Sequence, residues 1–327
     1  MTIRFELPSE LNASAPPEAR GLARDEVRLL VADTQGVEHT TFTDLDRFLK
    51  AGDLLVVNTS ATLPAAVDTT TPGIVAHFST ELDERTWVVE LRTPDGPYLK
   101  AHQGDRFGLP AGAELVLTER HGRLWHAEFA VEGRVTAFLA RVGRPISYGY
   151  VPRRWPIENY QTVFGRDPGS AEMPSAGRPF TAELVTKLVS RGVLFAPILL
   201  HTGVSSLESH EPPQDEWFRV PATTARLADW VRGEGGRVIA VGTTVVRALE
   251  SAAPGGSEGW TGLVLGPDRP ATVVDGLVTG LHAPNASHLL LLEAVAGASV
   301  VEKAYREALE HRYLWHEFGD VSLLLNQ

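Results

Sequence analysis

The chain has 327 residues, 43% of them hydrophobic and 22% charged, a composition ordinary for a globular protein with one large core or two modest ones. Its 30 Lys and Arg against 41 Asp and Glu leave a net charge of −11, which argues against a generic nucleic-acid binder. With no cysteine, disulfides, thiolate metal sites and cysteine nucleophiles are excluded together, and a reducing compartment fits.

Met1 to Leu11 carries Arg4, Glu6 and Glu10 and no continuous apolar stretch, so it reads as neither signal peptide nor membrane anchor. The longest apolar run, Leu289–Leu292, is too short to span a bilayer, and a cytoplasmic location without membrane partners is expected. Arg24 to Asn58 reads as strands at Val27–Ala32 and Leu54–Asn58 around a short helix near Leu45–Leu49. From Leu63 to Tyr148 the character changes. Apolar stretches at Trp87–Leu91, Glu114–Leu117 and Leu124–Phe129 are punctuated by turn signals such as Asp95-Gly96, Gln103-Gly104, Pro110-Ala111-Gly112, His121-Gly122 and Glu132-Gly133. That spacing predicts a small antiparallel barrel or sandwich.

From Thr181 onward helix and strand patterns alternate. Thr181 caps a predicted helix with Leu184, Val185 and Leu188 as its buried stripe and Gly192 as its end. Strand Leu194–Leu200 and helix Thr224–Arg232, with Leu227, Trp230 and Val231 on one face, come next. Strand Arg237–Val241 runs through Gly242-Thr243-Thr244 into a helix reaching Glu250. Strands are expected near Thr261–Leu265 and Thr272–Thr279, and Ser299 with Glu302 predicts a capping box for a last helix to His311 before a terminal strand, Val321–Leu325. The alternation predicts an α/β class with a mainly parallel sheet: residues 1–62 and 149–327 form one discontinuous domain, and residues 63–148 a β-rich insert within it.

Three strand-to-helix junctions carry polar groups where α/β proteins place ligands. At Gly242-Thr243-Thr244, free backbone N–H groups and two hydroxyls suit a carboxylate or phosphate, although the same residues also make a plain tight turn. Arg247 and Glu250, three apart on the next helix, either pair or face a ligand. His201 follows strand Leu194–Leu200 and is either a general base or a loop-holding histidine. The third junction, Val274 to Ser287, holds Thr279, His282 and Ser287, and Asp320 precedes the last strand. No histidine spacing matches a zinc motif, and no dinucleotide, Walker or nucleophile-elbow motif is present, so no metal is expected. Arg141 to Arg178 runs against the overall charge, with six arginines against Glu158, Asp167 and Glu172 and with Tyr148, Tyr150, Trp155, Tyr160 and Phe164 interleaved. Arginine with aromatics suits stacked, unpaired bases, and the tentative RNA contacts are Arg153 and Arg154; the same composition also describes a solvated loop.

Several segments, in order, resemble consecutive signatures of the S-adenosylmethionine:tRNA ribosyltransferase-isomerases of queuosine biosynthesis. They are Tyr160-Gln161-Thr162-Val163-Phe164, Ser175-Ala176-Gly177-Arg178-Pro179-Phe180-Thr181, His201-Thr202-Gly203-Val204, Val241 to Ser251, Val274 to Ser287, Ala296-Gly297 and Gly319-Asp320. Arg28 to Val31 and Gly52 to Thr59 are similar to the family's opening strands. The chain departs from the pattern at Ser60-Ala61, Ala65-Ala66-Val67, Arg178-Pro179, Ser209 to Asp215, Gly280-Leu281 and Asn285-Ala286.

The resemblance implies a large barrel-like α/β domain with an inserted small antiparallel β-barrel, and S-adenosylmethionine as a consumed substrate. In the family reaction the ribosyl carbons of the sulfonium pass to the amine of 7-aminomethyl-7-deazaguanine in tRNA, and adenine and methionine leave. Such a site takes a proton beside S⁺, holds an amino-acid tail and protonates departing adenine. On that chemistry His282 and His201 are candidate bases, Glu216 and Asp320 candidate contacts to sugar or amine, and Arg247 with Gly242–Thr244 a candidate carboxylate holder. Tyr160, Gln161, Thr162, Ser175, Ala176, Gly177, Arg178, Gly203, Glu250, Thr279 and Ser287 complete the expected binding set. Two other readings stay open: a paralogue that uses S-adenosylmethionine for elimination, displacement or transfer on a small molecule, and a non-catalytic RNA- or nucleotide-binding protein.

Overall fold

The structure is a computed structural model that describes residues 3–131, 133–204, 214–284 and 286–326. Glu132 and Asn285, and the 205–213 part of the predicted loop before Glu216, lie outside the described residues.

Nine strands form one sheet in the order Ser257–Thr261, Glu216–Val220, Leu194–Leu200, Leu54–Asn58, Val238–Val241, Gly276–Gly280, Val321–Leu325, Arg28–Ala32, Val37–Thr41. The four strands from Leu194–Leu200 to Gly276–Gly280 run parallel. Leu54–Asn58 and Val238–Val241 are buried throughout, as strands covered on both faces must be. Antiparallel pairs flank them on both sides, so the sheet is mixed and not mainly parallel. Helices Ala222–Gly233, Thr243–Ser251, His288–Ala296 and Ala298–Glu310 pack on one face, while Ala182–Ser190 and the 3₁₀ turn Phe42–Arg47 cover the other.

A second, antiparallel sheet of seven strands between Ala66 and Ala130 curls as a half-barrel around its own core of Phe78, Trp87, Leu115 and Phe129. Helix Val135–Val142 closes it with Phe138 and Leu139. The fold is therefore α/β with a separate antiparallel barrel-like sheet. A short parallel pair, Ser60–Thr62 with Asp167–Ser170, links the chain before and after that sheet.

Local signals explain most elements. Thr181 Oγ1 accepts from the Leu184 N–H at 3.1 Å and starts helix Ala182–Ser190, and Gly192, at φ +86°, turns the chain out after it. The expected capping box at Ser299 and Glu302 does not form: helix Ala298–Glu310 begins two residues earlier, behind Gly297, whose φ of +84° also ends the preceding helix. Helix Ala222–Gly233 buries the expected Val231 with Thr224 and Ala228 and packs Leu227 against the same core, but the i, i+4, i+7 row faces the sheet and leaves the expected Trp230 56% exposed. The expected strands near Thr261–Leu265 and Thr272–Thr279 are displaced to Ser257–Thr261 and Gly276–Gly280, and the polar edge strand Val37–Thr41 gave no apolar signal.

Candidate functional site

The carboxyl ends of the parallel strands open into a cavity of about 550 Å³. Three junctions meet there: Thr202-Gly203 after Leu194–Leu200, Gly242-Thr243-Thr244 after Val238–Val241, and Thr279 to His282 after Gly276–Gly280. Gly242, at φ +103°, makes the turn into helix Thr243–Ser251, whose first amides have no carbonyl of their own helix to meet. Loops at Tyr148–Tyr150, Tyr160 and Glu172–Ala176 form one wall, and Ser287, His288, His316 and Glu317 form another.

Tyr160, Ser175, Ala176, Gly203, Glu216, Gly242, Thr243, Thr244, Arg247, Thr279, His282 and Ser287 all line this cavity. Arg247, a candidate from the sequence either to pair or to face a ligand, is bonded within the protein. Its Nη1 donates to Glu216, its Nε to the Leu263 carbonyl at 3.2 Å, and its Nη2 to the carbonyls of Gln214 and Thr261 at 3.1 and 2.9 Å. That guanidinium is committed to the protein as a strut between helix Thr243–Ser251 and two loops. Burial pushes the Glu216 carboxyl up; Arg247 and the Gly203 N–H at 3.0 Å pull it back down.

The remaining expected residues lie off the cavity wall. His201 Nδ1 sits 2.8 Å from Ser60 Oγ, which in turn meets Ser170 Oγ at 2.6 Å. Its ring stacks near Trp217 and covers Gly169, where a Cβ would fall 2.3 Å from the imidazole. These contacts make it a packed histidine that joins the barrel-side linker to the sheet. Asp320 accepts from the N–H groups of Arg28 and Leu314 at 2.9 and 2.8 Å and pairs with the Arg28 guanidinium. Glu250 gathers the N–H groups of Thr272, Val273 and Val274 within 2.8–3.1 Å. The Gln161 amide clamps Thr62 through both its N–H and its carbonyl, Thr162 accepts from Gly165 N–H, and Gly177 lies in a 3₁₀ turn. Arg178 is 3% exposed and paired with Glu18 at 2.9 Å. Arg153 and Arg154 are exposed away from the cavity, the first stacked over Trp155.

Three imidazoles line the cavity together: His282, His288 and His316. His282 and His288 stack with their ring planes 1° apart and centroids 4.6 Å apart. His282 Nε2 lies 3.0 Å from Thr279 Oγ1, and its backbone N–H donates to Tyr305 Oη. Burial, then the neighbouring imidazoles, holds His282 well below the ordinary histidine value; burial brings His288 and His316 down to about 4. All three are neutral near pH 7 and able to accept a proton. His316 is held in the left-handed region at φ +72°, with Nε2 2.8 Å from Asn12 Oδ1 and its ring stacked on Tyr150. A non-glycine residue kept there needs surroundings that fix it.

Tyr148 and Tyr150 donate to Glu172 and Glu317, and burial raises both phenols. Burial also lifts the Glu317 carboxyl. Tyr160 is among the residues that line the cavity, and its Oη is buried and meets no hydrogen-bond partner among the described residues. His288, His316 and Glu317 were missed in the sequence, since no motif or spacing marks them; the backbone strain at His316 is visible only in the fold.

The model of the queuosine biosynthesis protein family matches residues 1–324. The chain is 36% identical to S-adenosylmethionine:tRNA ribosyltransferase-isomerase of Symbiobacterium thermophilum and 35% identical to that of Thermotoga maritima, with 98% of each chain covered in both cases. A crystal structure of S-adenosylmethionine tRNA ribosyltransferase from Thermotoga maritima superposes with a TM-score of 0.56 at 31% identity, over 98% of this chain and 99% of that one. Match, identity and fold agree along the whole length, and the chain belongs to the queuosine biosynthesis protein family.

Proposed function

We propose that this chain is an S-adenosylmethionine:tRNA ribosyltransferase-isomerase. It moves the ribosyl carbons of the sulfonium to the amine of 7-aminomethyl-7-deazaguanine in tRNA and releases adenine and methionine. The observation that carries the reading is one cavity at the carboxyl ends of the parallel strands, with a helix N-terminus, three neutral imidazoles and an unpartnered phenol on its walls.

Roles follow from that arrangement. The turn at Gly242–Thr244 receives the carboxylate tail, because the helix amides there favour an anion. His282 takes the proton beside the sulfonium, with Thr279 fixing its ring and His288 packed on its face. Tyr160 donates to a polar atom of the substrate, and Ser175, Ala176, Gly203 and Ser287 shape the remaining wall. Arg247 and Glu216 hold the floor. Residues 63–148 act as a separate β-rich unit, and the exposed Arg153 and Arg154 carry RNA contacts outside the cavity.

The test is incubation with S-adenosylmethionine, with and without tRNA bearing the aminomethyl base, followed by mass spectrometry of small products and digested nucleosides. Adenine, methionine and a ribosylated nucleoside that appear only with tRNA support the reading. Adenine-free cleavage of S-adenosylmethionine without tRNA overturns it in favour of a small-molecule reaction. His282→Gln should lower the rate roughly 10²–10⁴-fold with little change in substrate affinity; turnover within a few-fold of the parent assigns the proton to another cavity histidine.

A further inference from the structure

The last helix, Ala298–Glu310, packs along the outer strands of the large sheet, and beside the edge strand Val37–Thr41 three ligand-type side chains converge. Glu307 and the following His311 are one helical turn apart, and His39 reaches them from the strand. His39 Nε2 and His311 Nδ1 lie 3.4 and 3.5 Å from the same carboxylate oxygen, Glu307 Oε2, and all three ligand atoms fall within 4.8 Å of one another; His311 Nδ1 also lies 3.2 Å from the Glu307 carbonyl, a contact it gives up when it binds an ion. A first-row divalent ion with N and O bonds of about 2.0–2.2 Å places neighbouring tetrahedral ligands about 3.3–3.6 Å apart. Two edges of the triangle already have that length.

We infer that His39, Glu307 and His311 form a binding site for a borderline divalent transition-metal ion, zinc first, separate from the cavity. Two imidazoles and one carboxylate are the donor set such ions take, and water completes the shell. The far side of the His39 ring is fixed for this. Its Nδ1 lies 2.9 Å from Tyr313 Oη, and that hydroxyl has the Leu29 carbonyl at 3.4 Å as its own acceptor. When the phenol donates to Leu29, His39 Nδ1 carries the proton and Nε2 is left with a lone pair for an ion. This is the outer hydrogen bond that orients a metal-bound histidine. Arg28 is stacked over the Tyr313 ring, and its charge is taken up by Asp320 and by the carbonyls of His311 and Arg312. The side chains of His39 and Glu307 are 31% and 25% exposed and that of His311 53%, so the site is open to solvent and needs no opening motion.

A bound ion ties the sheet's edge strand to the end of the last helix, from which the chain runs through Tyr313 and Trp315 to His316 of the cavity wall. A second group, Glu119, His121 and His126, serves as the internal control. It lies within one hairpin, and neither of its imidazoles has a protein group fixing its other nitrogen among the described residues.

Isothermal titration of chelator-treated full-length protein with zinc chloride tests the site. One equivalent should bind at neutral pH and raise the melting temperature by a few degrees. His39→Ala and, as a near-isosteric change, Glu307→Gln should each weaken that binding at least 10-fold, and His121→Ala with His126→Ala should leave it intact. Circular dichroism of the metal-free variants separates lost ligation from lost folding. Absence of saturable binding, or zinc uptake that survives His39→Ala and Glu307→Gln while vanishing in the hairpin variant, overturns the inference.

Discussion

Tyr160 is 3% exposed, and burial lifts its phenol to about 12 while its oxygen goes unbonded. A hydroxyl in that state costs the free protein desolvation with no return, so removing it should not harm folding. Tyr160→Phe is expected to keep or slightly raise the melting temperature and to weaken S-adenosylmethionine binding roughly 3- to 10-fold, the size of one ordinary hydrogen bond. Calorimetry of ligand binding alongside thermal melts checks both halves; a destabilised variant with full affinity would mean that the oxygen has a structural partner. Tyr160 was legible in the sequence because it opens a family-like segment. His316 was not. Its place on the wall depends on a strained backbone and on contacts with Asn12 and Tyr150, residues 304 and 166 positions away.

Helix Thr243–Ser251 shows how one element both lines the cavity, through its first turn, and is itself held in place by its later residues. Its start at Gly242-Thr243-Thr244 is legible in the sequence, because the glycine sits between a buried apolar strand and a run of helix residues. What sequence spacing cannot show is where Arg247 points, since its partners come from Gln214, Glu216, Thr261 and Leu263 on other segments. The structure makes the arginine a tie that holds the helix against strands Glu216–Val220 and Ser257–Thr261. Breaking one side of such a buried pair leaves the other charge uncompensated, at about 3–5 kcal/mol. Arg247→Met should therefore lower stability by that amount in urea unfolding. Adding Glu216→Leu should recover most of it, because an apolar replacement of both partners removes the stranded charge. If Arg247→Met instead leaves stability intact and raises only the KM for S-adenosylmethionine, the guanidinium is a ligand contact after all.

At the scale of the whole molecule, the two separate cores and the cavity share one electrostatic consequence. His77 in the barrel-like sheet is held down to about 3, by burial first and then by Arg92, Arg144 and Arg123. Burial likewise lowers His201, His282, His288 and His316 around the large sheet, the last two to about 4. In the unfolded chain each of these imidazoles returns to an ordinary value near 6.5. Between about pH 6.5 and 4 the unfolded state therefore binds protons that the folded state refuses, and stability must fall as the pH drops through that window. The buried carboxyls Glu216 and Glu317 and the half-buried Glu81 act with the opposite sign, since burial raises them and they take up protons in the folded state first. Six lowered imidazoles, His126 included, with the lowered carboxyls Glu18 and Asp83 on the same side, outnumber the three raised carboxyls and leave a net loss on acidification. Each unopposed proton on a buried imidazole is worth about 1.4 kcal/mol per pH unit. The melting temperature should thus decline steadily from pH 7 to pH 4.5, and unfolding at pH 5.5 should take up protons, measurable from the buffer dependence of the calorimetric enthalpy. Replacing His77 with Gln should lessen that uptake and flatten the pH profile without touching the cavity. A profile that stays level to pH 4.5 would mean that these histidines are hydrated and charged in the folded protein, and it would remove the neutral bases on which the proposed chemistry depends.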